Sequence, residues 1–285
     1  HKKVFSNSEK FLEELVYKCM KYFSKNIPDW QSEEYIEELK IFKEIYKQRP
    51  IKFNIDGMKF PHMFATYFIL KKINPSFVIE SGVFKGQSTW LIEKTLPNAR
   101  ILSIDIDLNQ RKHISKKVEY SNKDFKYHNF SNIPSDTLVF FDDHVSHYER
   151  LKQAKFFNIK NIILEDNYNK DNGDFYTLRH AYQNVGFNHK HKIFGHFKTF
   201  FIFFIEILKK IFFKNYYFSN DKILFRLRDH EKNENDFKNI EKNIKTYFEF
   251  PPLYKHDEYS MAPILTDYKL DFEISKKELL SYNYI

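Results

Sequence analysis

The chain has 285 residues, a formal net charge of +8 and a single cysteine, Cys19. One cysteine excludes an intrachain disulfide and a cysteine-based zinc cluster. The basic residues are interspersed with acids, as on a solvated surface, and no zinc-finger or aromatic RNA-binding signature points to nucleic acid.

Hydrophobic residues, at 42%, suffice for a substantial core, and the 32 Phe and 19 Tyr fit an AT-rich coding bias better than a functional one. Residues His1 to Ser6 hold no apolar signal core, and a lone cysteine suits a reducing compartment, so the cytoplasm is the expected location. Phe11, Leu12, Leu15, Val16 and Cys19, then the stretch Glu34 to Tyr46, repeat at helical spacing around Pro28. They predict a helical N-terminal appendage over 1–50, closed by Arg49-Pro50, which covers the sheet or forms a homo-oligomer face. The main domain is expected over 51–285.

From Phe77 the pattern changes. Phe77-Val78-Ile79-Glu80 reads as a buried strand, followed by a glycine loop and a helix from about Ser88 to Thr95, ended by Pro97. Further apolar strands are predicted at Ile101 to Asp105, Phe125 to Asn129, Leu138 to Asp142 and Asn161 to Asp166. Short apolar strands alternating with helices predict an α/β fold with a parallel sheet and helices on both faces. Ligands of such sheets bind beyond the carboxyl ends of the strands, where Glu80, Asp105, Asp142 and Glu165 fall. The later apolar run at 193–218 contains Glu206 and the Lys209-Lys210 pair and is too short to span a bilayer. It is expected either to cap the domain or to lie on a membrane as an interfacial helix. Ile223 to Leu227 reads as a late strand, 229–245 as a charged helix, and the tail with Pro251-Pro252 and Pro263 as irregular.

The strongest motif is Glu80-Ser81-Gly82-Val83-Phe84-Lys85-Gly86, with Gln87-Ser88-Thr89 opening the helix. Gly82 permits a turn where a side chain would meet a ligand, Gly86 permits close approach, and Ser88 or Thr89 caps the helix. The acid Glu80 suits a cationic ligand such as a sulfonium amino acid. The dinucleotide fingerprint and the P-loop are both absent. A second constellation joins Asp142-Asp143-His144 with Glu165-Asp166-Asn167, hard oxygen donors suited to Mg²⁺, Mn²⁺ or Ca²⁺. His144 is either a ligand or a general base, its ordinary pKa being near the operating range; His147 is a weaker candidate.

The glycine loop resembles motif I of class I S-adenosylmethionine-dependent methyltransferases, and the resemblance extends over about 75–170. It implies a Rossmann-like sheet and S-adenosylmethionine contacts from Glu80, Ser81, Gly82, Phe84, Gly86 and Ser88. It further implies ribose recognition by Asp105 beside Ile106, with Asn129 and Phe130 bordering the adenine and Asp142 nearby. The strand-end acids are similar to those of metal-dependent O-methyltransferases of the catechol type and of the macrocin O-methyltransferase and cephalosporin-hydroxylase group. That similarity implies a Mg²⁺ or Mn²⁺ ion on Asp142, Asp166 and Asn167; this sequence departs from the pattern in adding Asp143 and His144, and catalytic work is expected of Asp142 and, from its imidazole chemistry, of His144. Asp143, Glu165, Tyr176 and Arg179 are expected to face the acceptor, a hydroxyl of a small molecule, sugar or glycan-biosynthesis intermediate reached at the cytoplasmic side, with peripheral membrane contact through 193–218. Two other classes compete. Asp105-Ile106-Asp107 is a D-x-D that a glycosyltransferase would use, and the domain could bind S-adenosylmethionine without catalysis.

Overall fold

The computed structural model describes residues 32–54, 56–168, 175–182 and 241–247, a few positions between 204 and 239, and strand segments at 254–257 and 260–263. The chain forms two compact units: His1–Asp143 with Gln153–Asp166 and Lys245–Ile285, and His144–Lys152 with Asn167–Ile244.

The first unit is built on helices α1 (Ser32–Lys47), α2 (Phe60–Ile73) and α3 (Gln87–Thr95) and strands β1 (Phe77–Ser81), β2 (Arg100–Ile104), β3 (Glu119–Ser121), β4 (Leu138–Phe141) and β5 (Asn161–Leu164). The strands form one parallel sheet of order β3-β2-β1-β4-β5. Every residue of β1 is buried, as the central strand of a sheet covered on both faces should be. Val78, Leu138 and Phe140 pack under α1, α2 and α3 on one face. Ile79, Val139 and Phe141 pack with Phe125, Phe130 and Ala154 on the other.

The expected boundary at residue 50 is not where the chain divides. Helix α1 belongs to the sheet's own unit and packs its apolar stripe there: Phe42 is fully buried, with Tyr46, Phe60, Phe64 and Tyr67 rings 5.1–5.8 Å away. Helix α2 was not foreseen as a separate element. Pro61 enters its first turn, where the missing N–H costs nothing. Asn74, at φ 47°, closes it with an N–H donated to the Leu70 carbonyl.

Two strand expectations are corrected. Residues 125–127 form a 3-10 turn capped by the Asp124 carboxylate on the Lys126 N–H, and the third strand lies earlier, at Glu119–Ser121. The alternation at Phe125 and Tyr127 misleads because only Phe125 is buried; Tyr127 is 50% exposed. The C-terminal tail is not wholly irregular: β6 (Tyr254–Asp257) and β7 (Ser260–Pro263) pair antiparallel, with Pro263 at a strand end, where a missing N–H is tolerated.

The second unit contains the first part of α4 (His147–Phe156), which continues into the first unit, and α5 (Leu178–Tyr182). The expected cap at 193–218 lies outside the described residues except Phe204 and Leu208, which are helical and exposed. The expected strand at Ile223 to Leu227 also lies outside them. No helix among the described residues is long and apolar enough to cross a membrane.

Candidate functional site

Parallel pairing in register fixes the rim of the sheet. Ser81 pairs with Ile104 and with Phe141, and Phe141 with Leu164. The ladder runs one residue further: Gly82 N–H donates to the Ile104 carbonyl, Asp142 N–H to Ser81 and Glu165 N–H to Phe141, at 2.8–2.9 Å. Gly82, Asp105, Asp142 and Glu165 therefore form a row at the carboxyl ends of β1, β2, β4 and β5, as the sequence implied. This is the edge at which open α/β sheets bind ligands.

The glycine loop is held from inside the protein. Val83 and Phe84 N–H groups donate to Asp105 Oδ2 at 2.8 and 2.9 Å, and Phe84 sits at φ 47°. Gly82 has φ 102°, and a Cβ there would lie 2.0 Å from the Asp142 carbonyl oxygen; at Gly86, φ 85°, it would lie 2.6 Å from that of His113. Both glycines are thus required by backbone approaching backbone, before any ligand is considered. Gly86 also occupies the N-cap position of α3. The expected caps Ser88 and Thr89 lie inside the helix and are buried, so Ser88 does not face a cofactor.

Glu80 does not lie open to a cationic ligand. It is fully buried, and its Oε2 accepts from Thr89 and Ser103 hydroxyls at 2.6 and 2.5 Å, tying β1 to α3 and β2. Burial pushes its pKa up, because a charged carboxylate loses its hydration there. Ser81 donates its hydroxyl to Asp143 Oδ2 at 2.5 Å, which ties β1 to the end of β4. Asp143 is therefore engaged by the scaffold, contrary to the expectation that it meets the acceptor. Ile106, beside Asp105, is 79% exposed.

Both acids of the D-x-D have N–H partners. Asp105 takes Val83, Phe84 and Asp107 N–H groups, and Asp107 caps the turn at 108–110 through Asn109 N–H and the Gln110 amide. With both its oxygens committed to that turn, Asp107 is not placed as the second acid of a metal-nucleotide site.

At the other end of the row, carboxylates crowd. Glu165 is buried and hydrogen-bonds to both Asp142 and Asp166. Oxygens of Asp142 and Asp166 lie within 4.8 Å of each other. Burial, then the neighbouring Asp166 charge, hold Glu165 well above the usual carboxylate range. Glu165 was expected to face the acceptor; its burial makes it part of the acidic cluster instead. His62, from the first turn of α2, points Nδ1 at Glu165 Oε1 and is 5% exposed. It belongs to no motif and was missed in the sequence, which offers no signal joining residue 62 to residue 165.

Several expected site residues make contacts of their own within the fold. Phe130 is 3% exposed and packs on Phe125 and Phe157, so it is core; its neighbour Asn129 spends its side-chain oxygen on the Ser131 N–H and hydroxyl. In the second unit, Asn167 is buried and its amide oxygen accepts the Arg179 N–H at 2.9 Å. The atom a metal would need is thus turned to that unit's own backbone. Tyr176 and Arg179, expected at the acceptor, are each 1% exposed, and Tyr176 stacks on His180. His147 Nδ1 accepts the Leu178 N–H, a structural role. His144 is exposed at φ 53°, its ring edge-on to Phe175.

The strand order, the glycine loop after β1 and the acid after β2 together give a Rossmann-like α/β fold of the kind used by class I methyltransferases. No family model matches the sequence, and no curated protein matches it. Among solved structures, it is similar to an apo structure of CmcI at 16% identity and a TM-score of 0.36, over 41% of this chain and 57% of that one. It is also similar to a putative O-methyltransferase from Klebsiella pneumoniae at 13% identity and 0.35, over 56% and 74%. A third is the S-adenosylhomocysteine-bound methyltransferase PaMTH1 from Podospora anserina, at 13% and 0.32, over 55% and 70%.

Proposed function

We propose that this protein is an S-adenosylmethionine-dependent O-methyltransferase assisted by a divalent cation. The observation that carries the reading is the single row at the sheet edge, with an ordered glycine loop folded onto Asp105 at one end and three clustered carboxylates at the other. The cofactor would rest on the loop backbone from Gly82 to Gly86, with Asp105 toward the ribose and Ile106 against the adenine. It supplies a methyl group on a sulfonium.

The cation would be held by Asp142, Glu165 and Asp166. The donor set fits: hard oxygens suit Mg²⁺ or Mn²⁺, and oxygens of Asp142 and Asp166 lie within 4.8 Å of each other beside the buried Glu165. A bound cation supplies positive charge that makes an acceptor hydroxyl more acidic. The chain's own contribution is positioning, the principal term in a displacement of this type. The exposed imidazole of His144, directly after Asp142-Asp143 in the chain, is the proposed receiver of the hydroxyl proton.

The proposed acceptor is a sugar or glycan-intermediate hydroxyl, by analogy at the level of the fold. The proposed setting is the cytoplasm, with 193–218 capping the domain or, as the alternative, touching the membrane face. Calorimetry and a mass-spectrometric transfer assay test the reading. S-adenosylmethionine should bind without any nucleoside diphosphate. Excess chelator should abolish transfer to sugar-nucleotide acceptors while leaving cofactor binding intact, and Mn²⁺ or Mg²⁺ should restore it. Binding of a nucleoside diphosphate in place of S-adenosylmethionine would favour the glycosyltransferase class. Undiminished transfer in chelator would leave the proton to His144 alone.

A further inference from the structure

The residue that the motif-based reading leaves unexplained is His62. It enters from α2, an element remote in sequence from both acidic triplets. A buried histidine is usually satisfied by a backbone carbonyl or a hydroxyl. Here the group facing Nδ1 is a carboxylate, Glu165, which itself bonds to two further carboxylates. One ligand-capable atom from each of His62, Glu165 and Asp166 lies within 4.8 Å of the others, a spread that one ion can bridge. His62 is also held in place: Phe60 and Met63 on either side of it are 2% and 0% exposed.

We infer that His62 is a ligand of the divalent cation proposed at Asp142, Glu165 and Asp166, making the site a mixed nitrogen–oxygen one. The inference rests on that proposed cation site. Its consequence is a choice of metal. Imidazole is a borderline donor that favours first-row transition ions, whereas Mg²⁺ and Ca²⁺ take oxygen. A site of three carboxylates and one imidazole prefers Mn²⁺ or Fe²⁺ to Mg²⁺, beyond the general order of affinities.

The full chain loaded with Mn²⁺ alone tests this by pulsed electron paramagnetic resonance. Bound Mn²⁺ should show hyperfine coupling to a directly ligated nitrogen, and His62→Gln should remove it. Calorimetry should show Mn²⁺ affinity falling at least about tenfold in His62→Gln, the lower end of what the loss of even an outer partner costs, with Mg²⁺ affinity changing much less. If Mn²⁺ binds, is lost on Asp166→Ala, and yet shows no nitrogen coupling, His62 is not a ligand and the carboxylate site stands without it. Coupling that persists in His62→Gln assigns another imidazole and overturns the inference. Absence of any Mn²⁺ binding overturns both the inference and the cation site. If His62→Gln fails to fold, His62→Ala and His144→Gln take its place: coupling lost in the first and kept in the second supports the inference, and the reverse overturns it.

Discussion

The two ends of the sheet rim are built on opposite principles. At the glycine loop, polar groups are paired within the protein: Asp105 accepts three N–H groups, and each glycine sits where a Cβ would strike a backbone carbonyl. At the acidic end, Asp142, Glu165 and Asp166 place like charges against one another and against burial. The first arrangement is stable without a ligand. The second sets carboxylates close together, which opposes their ionisation. A shape-holding loop and a carboxylate cluster thus share one sheet edge, and under the proposed function the first seats the cofactor and the second the cation.

Substitutions at the two ends should therefore move stability in opposite directions. The largest effect is expected at Gly82→Ala. The new Cβ meets the Asp142 carbonyl at 2.0 Å at a φ of 102°, and overpacking and backbone strain, each about 1–3 kcal/mol, add to about 2–6 kcal/mol lost in chemical denaturation. Unchanged stability would mean that the loop is not held as described. Next comes Asp105→Ala, which removes the acceptor of the Val83 and Phe84 N–H groups. Loss of a charge-assisted bond of about 1.5–3 kcal/mol weakens S-adenosylmethionine binding about ten- to hundredfold by calorimetry. Asp105→Asn keeps one acceptor oxygen but loses the other, which takes the Asp107 N–H, so it should lose less thermal stability than Asp105→Ala while still binding cofactor more weakly. Equal affinity in Asp105→Asn and wild type would confine Asp105 to scaffolding.

The acidic end should behave in reverse. Asp166 lies at φ 56°, a conformation Asn tolerates, so Asp166→Asn removes charge without straining the backbone. The metal-free variant should be more stable than wild type by up to about 1 kcal/mol, yet its turnover should fall by about 10–100-fold or more. A variant that is less stable and fully active would dissolve the contrast between the two ends.

The smallest effect is one of slope. Burial raises the pKa of Glu80 above its ordinary 4.5, so the native state holds a proton that the unfolded chain has released. That contribution is complete below the ordinary value and is lost as pH rises through the raised one. Denaturation over a pH series should show Glu80→Gln losing less stability than wild type as pH rises. Identical slopes would mean that Glu80 titrates normally.

Much of this was legible in the chain. The strands at 77–81, 100–104, 138–141 and 161–164 announce themselves as apolar runs bounded by acids and glycines, because a central parallel strand buried on both faces admits little else. Their acids fall at carboxyl ends by the same logic, so the row Gly82, Asp105, Asp142 and Glu165 follows once the strands are known. The roles within the row did not follow. Glu80 and Glu165 both end apolar strands, but one bonds to hydroxyls inside the fold and the other to carboxylates at its edge. The faces they meet are set by α2 and α3, and no local pattern encodes that. Phe130 and Asn129 read as a ligand border, but Phe125 and Phe157 supply a better partner for the Phe130 ring than water. Asn167 reads as a ligand, but the Arg179 N–H claims its oxygen. Sequence by itself determined the strands, the turn chemistry and which residues reach the rim, since periodicity and glycine sterics act over a few residues. Only the tertiary structure brought His62 to Glu165 across the chain, because burial and charge at a site are set by elements distant in sequence that pack together.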